Sequence, residues 1–378
     1  MRRIFALCFS LVVSMAFGQK YASYVSGPRV LTFADVEYGR LQLKVKSGTY
    51  TLTAYTPDSI FTMEYGEDDV HPLYTFRGDL RLNRAGCDSI VFTTSDTIEM
   101  RAWRGKNWTP TRPYLGTVTI RPNLIYLETI VKVPVEPYIA GVVEAEGGMS
   151  AEPEYHKAQA VLARTWLITN MGKHKKEGYH IKDDQSSQAF KGVPHGKHAA
   201  IISKAVAQTK DTIATYSGKP IIGFYHSNSG GQTVLPQDVW SQELPYCRAV
   251  FDPFSKKESK YRWTKDISLS DWKAYFKIAE DFDWSAFFAG LPGGRQTHYT
   301  MGDQIFKLET LRRHFKLRST YFIASIVGGT VHLEGYGFGH GVGMAQQGAM
   351  RMAVGGFEWK EILDFYFQKL SFETVQNF

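Results

Sequence analysis

The stretch from Val133 to Trp166, VPVEPYIAGVVEAEGGMSAEPEYHKAQAVLARTW, constrains the fold most, because the hydrophobic period changes there. Upstream, apolar residues alternate in short runs, the period of strands. Downstream, from Ala158 to Ile168, they fall close to helical spacing. The stretch reads as a β-type run that enters a turn holding Glu144, Glu146, Gly147 and Gly148, followed by a helix. Ser150 suits an N-cap, Pro153 a first helical turn and Gly172 a stop. On that helix Lys157 and Arg164, seven apart, share a face, and Gln159 points elsewhere. A chain that changes period in this way is expected to be α+β.

The 378 residues leave room for two domains. Arg2, Arg3, the apolar run Ile4 to Ala16 and the small-x-small exit Ala16-Phe17-Gly18 read as a secretory signal peptide over residues 1–18. The run is too short for an ordinary membrane span, and no other apolar run is long enough, so no stable span is expected after cleavage. Removing the two arginines takes the formal charge from +7 to +5. Without a concentrated basic tract carrying interleaved aromatics, nucleic acid is not an expected partner. Cys87 and Cys247, placed in different domains, are expected as buried free thiols.

Residues 19–112 read as a small β-rich module of short runs such as LQLKV, TYTLTAYT, SIFTMEY, LYTFRGDLRL, SIVFTT and TIEMRAW. No acid pair, His cluster or ligand-spaced Cys marks it, so a spacer or binding module is the natural reading. Residues 113–378 read as a larger mixed domain, with helices near Lys197–Thr209, Ser270–Ala279, Ile305–Phe315, Ala345–Val354 and Phe357–Phe367.

Three segments carry candidate chemistry. In GYGFGHGVGMAQQGA, glycines stand at 335, 337, 339, 341 and 343. In extended chain this strips one face of side chains and leaves Tyr336, Phe338, His340, Val342 and Met344 on the other. Bare backbone at Gly339 and Gly341 beside His340 suits a sugar, and a bend needed for packing is the other reading. No GxGxxG or P-loop is present. In FYHSNSGGQT, His226, Ser227 and Ser229 invite a hydrolase triad, yet GxSxG is absent and hydroxyls at a strand end commonly serve the turn. Third, Glu144 and Glu146 share a face only if the chain there is extended; near a helix N-terminus a carboxylate is favoured as the anion, whereas a general acid needs burial to hold its proton. No HExxH or CxxC occurs, so neither metal nor cofactor is expected.

PVEPYIAGVVEAE followed by KAQAVLART resembles the SpoIID/LytB family of sporulation and cell-wall proteins. The similarity continues in order through AVAQTKDTIATYSGKPI, FYHSNSGGQT, DVW, LPY, LRST and GFGHGVGMAQQGA, covering about 114 to 370. The resemblance implies a secreted lytic transglycosylase acting on peptidoglycan glycan strands in the periplasm or cell envelope. Glu146, which ends Gly-Val-Val-x-x-Glu, is then the single catalytic acid/base, and Glu144 a possible auxiliary acid. Gln159, Arg164, His226, Ser227, Ser229, Gly339, His340 and Gly341 are the expected glycan contacts. Some relatives hold zinc at a Cys-Asp-x-x-His-Cys-Gln segment; here it reads KDDQSSQ, with Lys182, Ser186 and Ser187 at ligand positions, so none is expected. A non-catalytic wall-binding enhancer of an amidase, which makes a cell-wall amidase a possible partner, and a water-using muramidase are the alternatives.

Overall fold

The computed structural model describes residue 24 and residues 26–67, 69–148, 150–240, 242–277, 284, 295–301 and 304–377. The signal peptide at 1–18 and the end of the helix expected at Ser270–Ala279 lie outside the described residues. The fold is α+β and forms two compact units. Unit 1 runs to Ala214 and takes in the chain again from Phe372; unit 2 is Thr215–Ser371.

Unit 1 opens with twelve strands: β1 (Arg29–Thr32), β2 (Arg40–Val45), β3 (Tyr50–Tyr55), β4 (Ile60–Tyr65), β5 (His71–Phe76), β6 (Asp79–Leu82), β7 (Ala85–Cys87), β8 (Ser89–Thr93), β9 (Ile98–Ala102), β10 (Arg112–Tyr114), β11 (Thr117–Asn123) and β12 (Tyr126–Lys132). The run LYTFRGDLRL, read as one strand, is the β5–β6 hairpin. Its two turn residues, Arg77 and Gly78, both take positive φ, as a tight two-residue hairpin turn needs. One sheet has the order β10-β9-β2-β5-β6-β7. The other has seven strands and combines β1, β3, β4 and β8 with β11, β12 and a short β13 (Ile181–Lys182). Alternate residues of both sheets, among them Leu41, Leu43, Leu52, Ile90, Phe92, Val118 and Val131, are buried in one core.

The boundary read at 112/113 therefore falls inside one sheet. β11 pairs with β8, and β12 pairs with β1. Alternation shows which face of a strand is apolar; it does not show which strand lies beside it.

Three helices follow in unit 1: α1 (Val135–Glu146), α2 (Pro153–Asn170) and α3 (Ala199–Gln208). The first corrects the sequence reading, because VEPYIAGVVEAE is helix and not strand and turn. The prolines misled. Pro134 is the extended N-cap, and Pro137 falls in the first turn, where a missing N–H costs no intrahelical bond. Gly147 and Gly148, at φ 109° and 77°, end the helix.

Unit 2 has a three-stranded antiparallel sheet of Arg262–Ser268, Thr330–Tyr336 and Phe322–Val327. The helix at Leu269–Phe276 packs on it and is opened by the Ser268 hydroxyl, which accepts from Asp271 N–H. Short bridges join the two signature segments: Tyr225–His226 pairs with Met344–Ala345, and Asn228 with Phe338. Cys87 and Cys247 are buried and unbonded. No helix among the described residues is long and apolar enough to cross a membrane.

Candidate active site

In unit 1 the buried face of α1 includes Tyr138, Gly141, Val142 and Val143. The segment 183–196 crosses this helix. Gly141 allows the crossing, since a Cβ there would lie 2.2 Å from the Gly192 carbonyl and 2.5 Å from the Phe190 ring. The crossing segment meets each acid separately. Ala189 N–H donates to Glu146 Oε1 at 2.9 Å. His195 and Gly196 N–H donate to Glu144 Oε1 at 3.4 and 3.3 Å. On a helix, residues two apart lie about 200° around the axis, so the two acids do not share a face. Glu146 stands at the C-terminal end of α1, and the dipole argument made from sequence reverses: the carbonyl end of a helix disfavours a nearby anion.

The residues around Glu146 are mostly tyrosine and amide. Tyr138 O–H donates to Gln188 Oε1 (3.2 Å), and Gln188 Nε2 donates to the Ala163 carbonyl (3.3 Å). Burial, then the charges of Glu146 and Asp183, hold the Tyr138 hydroxyl far above its usual range, so it remains a neutral donor. Tyr155 O–H reaches the Gly147 carbonyl (3.3 Å) and Gln159 Oε1 (3.4 Å). Gln159 is fully buried, and its Nε2 has no partner among the described residues. Tyr138, Tyr155, Gln188 and Ala189 were not singled out from sequence. Tyr138 lies within PVEPYIAGVVEAE and Gln188 ends KDDQSSQ, but only the fold shows that these residues lie near one another.

Arg164 does not belong to an open site. It is fully buried; its Nε and Nη2 make a bidentate pair with Glu136 (3.1 and 2.8 Å), and Nη1 donates to the Thr212 carbonyl (3.0 Å). With its donors committed inside the core, it has none to offer a glycan.

In unit 2 the two signature histidines bracket one residue, Val342. Val342 N–H donates to His340 Nδ1 (3.1 Å), and the Val342 carbonyl accepts from His226 Nδ1 (3.0 Å). An N–H can only donate and a carbonyl can only accept, so Val342 forces opposite tautomers on the two rings. His340 further bonds the Tyr225 backbone. His226 Nε2 is left as a buried lone pair without a partner among the described residues. Both rings stay neutral. Burial, then His340 and Arg295, hold His226 well below its usual range; burial, then Arg312 and Arg295, push His340 down to about 3. Trp240, 43% exposed, stacks on Phe224 with centroids 4.7 Å apart and lies 4.9 Å from the His340 ring.

The glycine stretch departs from its reading. Gly337, Gly339, Gly341 and Gly343 have φ between 70° and 111°, so the chain is coiled there and not extended. Their bare faces meet the protein. A Cβ on Gly339 would lie 2.8 Å from His226 Cβ, and one on Gly341 2.7 Å from Arg295 Nη1. Ser229 is likewise internal: it is fully buried, its hydroxyl donates to Asp252 (2.7 Å), and its carbonyl accepts from Arg295 Nη2 (2.7 Å). The bare faces of Gly339 and Gly341 and the Ser229 hydroxyl thus serve the fold. Ser227 remains partly exposed. Arg295 Nε and Nη1 are buried without partners among the described residues.

Among the described residues no three His, Cys, Asp or Glu side chains converge as metal ligands would. In the segment where some relatives carry ligands, the Ser187 hydroxyl accepts from Lys182 N–H (3.2 Å) and Ser186 N–H donates to Asp184 (2.8 Å).

The model of the stage II sporulation protein (SpoIID) family matches residues 126–216, which contain α1, the crossing segment and both acids. Stage II sporulation protein D of Bacillus amyloliquefaciens is 31% identical over 265 residues, 66% of this chain and 77% of the relative. Its counterpart in Bacillus subtilis strain 168 is 30% identical over 268 residues, 66% of this chain and 78% of the relative. The amidase enhancer of the same strain is 27% identical over 289 residues, 61% of this chain and 39% of the relative. The chain belongs to the SpoIID family.

Proposed function

We propose that the protein acts on the cell wall as a lytic transglycosylase, cutting the MurNAc–GlcNAc bond of peptidoglycan strands with Glu146 as its single acid/base. Protonated Glu146 gives its proton to the bridging oxygen, and the bond from MurNAc C1 breaks. The resulting carboxylate takes the proton of the MurNAc C6 hydroxyl while that oxygen closes on C1, leaving a 1,6-anhydro end. The nucleophile comes from the sugar itself, so no second carboxylate is required, in contrast to the two-carboxyl hydrolases.

The separation of the two acids carries this reading. Glu144, the neighbouring carboxylate, is held by His195 and Gly196 on another side of α1 and does not face the same site as Glu146. The Ala189 N–H bonds best to a carbonyl-type oxygen, so its contact with Glu146 Oε1 favours a proton on Oε2. In unit 2 the exposed Trp240 face and the partly exposed Ser227 suit a sugar, which presents flat C–H faces and hydroxyl groups. Export by the leader at 1–18 would bring the protein to its substrate. The amidase enhancer among the relatives supports a second reading, a wall-binding partner of an amidase.

Mass spectrometry of products from whole peptidoglycan and from peptide-stripped glycan tests the proposal. Anhydro-ended fragments from the wild type, reduced by about two to four orders of magnitude in Glu146→Gln, are expected. Reducing ends would mean that water attacks. Wall binding without cleavage would favour the amidase partner.

A further inference from the structure

The KDDQSSQ segment, where some relatives carry metal ligands, ends one residue before the amide that holds Glu146. Its anchor is Asp183. This carboxylate is fully buried and pairs with Arg112 Nη1 at 2.8 Å. It also accepts from Phe33 N–H (2.8 Å) and Ala34 N–H (2.9 Å). Its own carbonyl accepts from Phe190 N–H (3.1 Å), closing residues 183–190 into a loop. Gln188 within that loop is tied to Tyr138 of α1 and to Ala163 of α2. Ala189 stands between Gln188 and Phe190, and both of its neighbours are fixed. Its N–H has little freedom to leave the Glu146 carboxyl.

We infer that the Arg112–Asp183 ion pair is a positioning device for Glu146, acting through the clamped loop and the Ala189 N–H. The inference rests on the reading of Glu146 as the acid. Arg112 and Asp183 touch no reacting atom; they decide which carboxyl oxygen carries the proton and where it points. A buried ion pair suits this task, because Arg112 Nη1 and the Phe33 and Ala34 N–H groups together hold both oxygens of Asp183 and resist its rotation. Tyr138, on the same helix, feels the charges of both Glu146 and Asp183, and Tyr155 on α2 bonds the Gly147 carbonyl next to Glu146. Glu144 and His195 pair with each other.

Losing an amide donor weakens the Glu146 anion relative to the acid. Arg112→Lys and Asp183→Asn should therefore move the high-pH limb of the kcat profile upward by about one unit, the size of effect that one hydrogen bond to a charged group sets. Misaiming the acid should also lower kcat about tenfold at unchanged KM. A merely structural pair would lower thermal stability and leave that limb in place, and such an outcome overturns the inference. Should these variants fail to fold, the amide proton of Ala189 in the intact wild-type chain gives the answer by NMR. It should shift as Glu146 titrates and stop doing so in Glu146→Gln. A flat Ala189 resonance overturns the inference. Undiminished cleavage by Glu146→Gln overturns the reading of Glu146 instead, so the two failures are distinguishable.

Discussion

The surroundings of Glu146 in unit 1 and the glycine-rich stretch in unit 2 were equally prominent in the sequence, yet they use their signature residues differently. Around Glu146, one backbone amide, Ala189 N–H, donates to the carboxyl, and neutral side chains bond the residues beside it: Tyr138 to Gln188 and Tyr155 to the Gly147 carbonyl. In the glycine stretch, the polar and small residues mainly satisfy one another: Val342 fixes His226 and His340, Ser229 serves Asp252, and Gly341 makes space for Arg295. A motif can be specific because it builds a turn, without touching any ligand. The polar atoms that remain unspent, His226 Nε2 and Arg295 Nε and Nη1, then carry more functional information than the motif as a whole.

The sharpest test of this contrast outside the acid itself is Arg164→Met. If Arg164 is a core ion pair, the variant leaves Glu136 uncompensated and should destabilise unit 1 by about 3–5 kcal/mol, read by denaturant titration. Weakened glycan binding at wild-type stability would return Arg164 to the binding site. Trp240→Ala asks the opposite question of unit 2. Removing an exposed platform should weaken binding to purified glycan about tenfold, as loss of one aromatic contact does, and leave thermal unfolding unchanged. A drop in stability with no change in binding would make Trp240 part of the packing.

The last test concerns acid. His226 and His340 are held neutral when folded, with His340 pushed down to about 3. Above the ordinary histidine range, near pH 6.5, neither state takes up protons at these positions, and stability is full. As pH falls from there toward about 3, the unfolded chain binds protons that the folded chain cannot accept, so stability declines. The slope approaches about 1.4 kcal/mol per pH unit for each histidine. Urea titrations from pH 7 to 4 should show a shallower decline in His226→Gln; an identical decline would mean that His226 protonates without unfolding.

Much of the molecule was legible in order and kind. The alternating runs from Leu41 to Lys132 are strands, the Ala158–Ile168 pattern lies in α2, and a helix starts near Ser270, capped by Ser268. The stretch Val135–Glu146 was misread because proline signals a break in a helix interior and is tolerated in a first turn; Pro137 could not be assigned to either case before the helix start at Pro134 was known.

Sequence alone determined the two periods, the glycines that permit positive φ and close crossings, and the position of Glu146 within its motif, all properties of local covalent chemistry and side-chain pattern. Tertiary structure decided that strands on either side of residue 112 share a sheet, that Glu144 and Glu146 face apart, and that Asp183 anchors the loop whose amide holds Glu146. Each of these rests on contacts between residues tens of positions apart. Such contacts depend on register and packing, which a linear pattern of residue types leaves open.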